Sequence, residues 1–132
     1  MASKAKVWTG RILSVVAVLM LLLSASGKVM KSAQVLQGFA EFGYRESVVV
    51  AIGITEILCT LLYVIPRTSV LGAIVLTGYL GGAVATHLRI GDPKFIAPAI
   101  VGVVVWGGLY LRDERVRALI PLLSKGQVGD SL

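Results

Sequence analysis

VVVAIGITEILCTLLYVIPRTSVLGAIVLTGYLGGAVAT, residues 48–86, decides the fold. Its first eighteen residues, Val48–Ile65, carry one charge, Glu56; its last eighteen, Ser69–Thr86, carry none. Pro66-Arg67-Thr68 stands between them. Neither run alternates polar with apolar residues, which disfavours a β-barrel. As helices, each would be about 27 Å long, the short end for a bilayer core of about 30 Å. Proline stops the first, and so tight a turn makes the two an antiparallel hairpin.

Two further runs flank the hairpin: Ile12–Gly27, interrupted by Ser14, Ser24 and Ser26, and Phe95–Leu111. The chain is 56% hydrophobic and 15% charged, against roughly 45–50% and about 25% in soluble domains. Outside a bilayer that composition would leave aggregating apolar patches. We therefore expect an all-α, integral membrane four-helix bundle, one domain over residues 1–132, with helices at about 11–28, 47–65, 69–88 and 95–111. Lys4, Lys6 and Arg11 ahead of the first run, with Ser24-Ala25-Ser26 near its end, resemble a signal peptide. Its removal would leave an odd helix, so the run reads as retained. Residues 89–94 form a short turn, whereas the link from Lys28 to Ser47 is the longest. In it Val35, Leu36, Phe39 and Phe42 fall at helical spacing beside Lys31, Gln34, Glu41 and Arg45. The segment 32–45 is either an interfacial amphipathic helix or a spacer. The tail 112–132, basic near the membrane, is expected to rest on anionic lipid.

The net charge of +6 does not mark a nucleic-acid partner. That would need basic residues on one folded face among aromatic or polar readers, and here they lie between and outside the apolar runs. With four spans, Lys4, Lys6, Arg11, Arg67, Arg112, Arg115, Arg117 and Lys125 share the side of both termini; Lys28, Lys31, Arg45, Arg89 and Lys94 lie opposite. Positive-inside places the termini in the cytoplasm. The single cysteine, Cys59, excludes an intramolecular disulfide or a CxxC pair, and the single histidine, His87, a multi-histidine metal cage. No metal site or cofactor motif is evident.

Counting from the hairpin turn gives depth. Glu56 lies eleven residues before Arg67, level with Gly78 and Tyr79; eleven residues beyond Phe95 comes Trp106. Glu56, Tyr79 and Trp106 are expected in one midplane layer, with His87 about 13 Å further out. A charge near the bilayer centre costs at least ~2.5–3.5 kcal/mol. Glu56 must therefore face the bundle, be protonated or find a partner; the only other charges in reach would come from the rim, so burial favours a neutral carboxyl that donates to Tyr79 or a backbone carbonyl. Glu56, Tyr79 and His87 are the candidate catalytic residues, His87 as a proton exchanger with the midplane acid through water. Trp106, Thr60, Gly78, Gly82 and Thr86 are candidate ligand contacts. Gly78 and Gly82 form a GxxxG, with Gly81, Ala83 and Ala85 beside it; tight helix packing is its expected use. Lys28, Lys31, Arg89 and Asp92 form a polar outer rim, while Trp8 and Tyr110 read as interface anchors.

GFAEFGY at 38–44, EILC at 56–59, LYVIPRT at 62–68, LGA at 71–73, LTGYLGGAVATH at 76–87 and GDP at 91–93 together resemble the DoxX-like family of small four-helix bacterial membrane proteins. The likeness runs from about Ile12 to Arg117. It implies a multi-pass protein of the bacterial inner membrane and points to Glu56, Tyr79, Thr86, His87 and Asp92. The wider group includes a subunit of a thiosulfate:quinone oxidoreductase, components linked to thiol stress, and eukaryotic membrane chaperones or cargo receptors. Without a second cysteine, an intrinsic dithiol activity is not expected here. Two functions stay open: an accessory or binding subunit holding a quinone, lipid or partner helix, as homo-oligomer or with a partner protein; and an embedded isomerase or hydrolase acting on a small lipophilic substrate through Glu56. A transporter is the weaker third, since four short helices leave little room for a path.

Overall fold

The computed structural model describes residues 3–119. Helix α1 spans Lys4–Val29, α2 Ala33–Glu41, α3 Glu46–Val64, α4 Ser69–Arg89, α5 Ile96–Arg112 and α6 Glu114–Leu119. Four of these, α1, α3, α4 and α5, are long and apolar enough to cross a membrane. They pack in a ring, α1 against α3, α3 against α4, α4 against α5, and α5 back on α1. Leu23 and Val103, 76% and 73% exposed, show how apolar the outer surface is, as a lipid-facing surface must be.

Local signals explain the boundaries. Ser3 caps α1, its Oγ accepting from the Lys6 amide at 3.2 Å, so the helix starts ahead of the apolar run. Pro66 stops α3, and the Leu62 carbonyl, which loses its helical partner to the proline, accepts instead from Thr68 Oγ1 at 2.7 Å; Ser69 Oγ donates to Ile65 O at 3.0 Å. At the other end Gly91, with φ +70°, turns the chain out of α4, and Asp92 Oδ1 accepts from the Lys94 amide at 2.9 Å. Asp92, expected at the rim, thus holds that turn. The segment 32–45 contains α2, which packs on α1 and α3. Arg117 donates to carbonyls at the end of α5, those of Tyr110 and Leu111; residues 120–132 of the tail, with Lys125, lie outside the described residues.

The close helix crossings differ from those expected. A Cβ on Gly78, Gly81 or Gly82 would meet nothing within 4 Å, so the GxxxG of α4 is not a packing seam. Close approach occurs elsewhere. A Cβ on Gly72 would fall on the Tyr63 and Leu62 backbone, and one on Gly10 would lie 2.7 Å from Gly108 O. Gly72 is four residues past the Pro66–Thr68 hinge, which holds α3 and α4 together there. Farther from the hinge the glycines of α4 face open space: Gly82 lines a cleft and Gly81 a separate outer groove.

Candidate functional site

The cleft holds about 540 Å³ and draws walls from α1 through α5. Met20, Leu21, Ile52, Leu80, Ala97 and Val101 make most of its surface apolar. Its polar end is built on Glu56, which is 2% exposed. Three donors converge on one carboxylate oxygen, Oε2: Lys28 Nζ at 2.7 Å, the Tyr79 hydroxyl at 2.9 Å and Ser24 Oγ at 3.4 Å. Lys28 Nζ also donates to Ser24 Oγ at 2.5 Å and sits 6.0 Å from the Tyr79 ring centroid. Lys28, Glu56 and Tyr79 thus bring α1, α3 and α4 to one point.

This arrangement corrects two expectations. Glu56 does not donate to Tyr79: its Oε2 accepts from the Tyr79 hydroxyl and pairs with Lys28 Nζ. Lys28 does not stay at the rim, its side chain being only 12% exposed. The cause is the level at which α1 ends. A Cβ on Gly53 would lie 2.8 Å from Lys28 Cβ and 3.2 Å from Ala25 O, so Lys28 stands beside the second turn of α3. The missing side chain at Gly53 lets α1 come close, and from there a lysine stem of about one helical turn reaches Glu56.

The other candidates divide. Tyr79, Gly82, Thr86 and His87 line the cleft with Glu56 and Lys28, joined by Lys94 and three aromatics of the α2 region, Phe39, Phe42 and Tyr44. Tyr44 OH and Thr86 Oγ1 are 3.0 Å apart. His87 shares the cleft with Glu56, but its Nδ1 pairs with Ala83 O at 2.7 Å and its ring meets Phe42 edge-on at 4.8 Å. Arg89 donates to the Phe42 carbonyl, tying α4 to the end of α2. Trp106 does not face the cleft: its indole donates to Thr77 Oγ1 at 2.7 Å and it lines a separate groove on the outside of α4 and α5. Equal depth did not bring equal direction. Thr60 is buried against its own helix, donating to Glu56 O at 2.7 Å, while Gly78 and Lys31 lie outside the cleft lining. Lys31 instead takes the left-handed turn after α1, with φ 52°.

A second polar cluster, at the opposite end of the bundle, was not anticipated. The Tyr63 hydroxyl, fully buried, lies 3.0 Å from Ser14 Oγ and donates to Val105 O at 2.7 Å. Arg112 Nε donates to Ser14 Oγ at 2.9 Å, with its guanidinium 5.2 Å from the Tyr63 ring centroid. No buried side-chain N or O atom there lacks a hydrogen bond, and the cluster braces α1, α3 and α5 rather than opening onto the cleft. Tyr63→Phe removes the shared hydroxyl and should cost about 1–2 kcal/mol of stability, read by thermal unfolding in detergent. A loss below 0.3 kcal/mol, about a fifth of that, would contradict the bracing role.

Comparison with curated proteins and with solved structures finds no match. A model of the DoxX-like family matches residues 12–108, a stretch that holds every residue lining the cleft and the greater part of all four spans. On that match, the chain belongs to the DoxX-like family and is a multi-pass membrane protein of it.

Proposed function

We propose that this protein is a binding or accessory subunit of the bacterial inner (plasma) membrane, with both termini cytoplasmic. In this reading the cleft holds a small lipophilic molecule, a quinone or a lipid, for a redox or stress-related membrane complex. The observation that carries the reading is the cleft itself, apolar along its walls and polar where Lys28, Glu56 and Tyr79 meet. Its volume falls in the ~300–1,000 Å³ range of small-molecule sites, and a few convergent polar groups in apolar surroundings are their usual form. For a quinone, the Lys28 ammonium supplies a donor to a ring oxygen and the apolar walls take the tail.

Gly82→Leu tests this directly. A Cβ at Gly82 would meet no neighbour within 4 Å, and Gly82 lines the cleft, so a larger side chain there grows from open space into the cleft. Protein purified from its native membrane in mild detergent is extracted and the extract compared by mass spectrometry. The wild type should carry a lipophilic species enriched at least about tenfold over Gly82→Leu, a difference of ~1.4 kcal/mol in binding, with the unfolding temperature nearly unchanged. Identical extracts would refute the reading.

A second reading, an embedded enzyme, is favoured by the Tyr79–Glu56 hydrogen bond, which joins a phenol donor to a carboxylate base beside the same cleft. The two readings separate on Glu56→Gln. A binding subunit keeps its ligand with Gln, which still accepts hydrogen bonds; an enzyme keeps the ligand and loses turnover.

A further inference from the structure

Building on that reading of the cleft, we infer that its occupant is an uncharged molecule bearing a hydroxyl head, an alcohol or a phenol, held between Glu56 Oε1 and the Lys28 ammonium. The observation is the asymmetry of the carboxylate. Lys28, Tyr79 and Ser24 all donate to Oε2. Oε1 receives no hydrogen bond, and no buried side-chain oxygen among the described residues is left unpaired. Oε1 is therefore the oxygen open to the cleft that Glu56 lines.

Lys28 offers the complementary group. Its ammonium has three protons; two go to Ser24 Oγ and Glu56 Oε2, and the third is left on a side chain that also lines the cleft. The polar end thus presents one acceptor and one donor on an ion pair that is neutral as a whole. Lys94 also lines the cleft but is an exposed residue; at the buried end beside Glu56 a charged head would arrive without a counter-charge, so an uncharged one is favoured there. Among uncharged heads, a carbonyl or ether satisfies Lys28 and desolvates Oε1 with nothing in return. A hydroxyl donates to Oε1 and accepts from Lys28. Sites built to pair with a ligand hydroxyl reject analogues that lack it far more strongly than apolar pockets reject a change of size. For a quinone pair, the same geometry selects the hydroxylated, reduced member.

The test uses a matched pair of probes, 4-nonylphenol and its methyl ether, with full-length protein in lipid nanodiscs. Binding is measured against Gly82→Leu discs, which subtract partitioning into lipid. The phenol should bind at least about tenfold more tightly than the ether. In the double variant Lys28→Met/Glu56→Leu, which replaces the ion pair by apolar groups, the preference should fall to near unity. Equal binding of both probes to the wild type overturns the inference while leaving the cleft reading standing. A tenfold preference that survives in the double variant also overturns it. Absence of any binding above Gly82→Leu sinks both readings together.

Discussion

Lys28→Met should destabilise the protein by about 3–5 kcal/mol, the loss seen when one partner of a buried ion pair is removed. Glu56 sits ten residues into α3, about 15 Å along the helix axis from its start. It cannot reach the interface by itself. Without Lys28 its carboxylate keeps only the Tyr79 and Ser24 hydrogen bonds, in a medium where unpaired charge is costly. The reverse change is gentler. Glu56→Gln leaves the ammonium unpaired, but Lys28 is the second-last residue of α1, and its long stem can swing the charge outward. Glu56→Gln should therefore cost about 1–2 kcal/mol, less than half as much. Adding Glu56→Leu to Lys28→Met should recover most of the loss, since an apolar pair of similar volume is often neutral or stabilising. Reversible unfolding in mixed micelles reads all three. If Lys28→Met costs less than about 1 kcal/mol, the level of an exposed pair, the ion pair is not the buried one described here.

The four spans were legible because their signals are local, although α1 starts at Lys4, ahead of the expected residue 11. A run of apolar residues, a proline after Ile65 and a glycine-aspartate-proline turn at 91–93 each act within a few residues. Glu56 was legible for the same reason, as the one charge in an apolar run. Its partner was not. Depth could be counted through the short turns at 66–68 and 91–95, but α1 connects through α2, and how far α1 sinks depends on how that segment folds over the bundle. Lys28 therefore read as rim, although it stands beside Gly53. Trp106 failed differently: residue counting gives depth along an axis, whereas the face a side chain takes depends on how neighbouring helices turn. Ser14, Tyr63 and Arg112 were visible as polar residues at apolar positions. Their meeting joins positions 49 and 98 apart, which no local pattern encodes.

The glycines separate motif from geometry, and substitution can show it. A GxxxG states that a helix could be approached closely, not that any helix does so. Gly72→Ala should cost about 3 kcal/mol, at the upper end for overpacking, because its methyl would fall on the backbone of Tyr63 and neither helix has a side chain to yield. The Pro66–Thr68 hinge leaves α3 and α4 no freedom to separate there. Gly78→Ala puts the same methyl in open space, on a helix interior where alanine is favoured over glycine by ~1 kcal/mol. It should be neutral to slightly stabilising. Were the family-like stretch at 76–87 the packing seam, the order would invert, with Gly78→Ala and Gly82→Ala unfolding the bundle and Gly72→Ala tolerated. Parallel unfolding of the three variants decides between the two, and Gly82, the open glycine that lines the cleft, then stands as what leaves room there for a ligand beside Glu56.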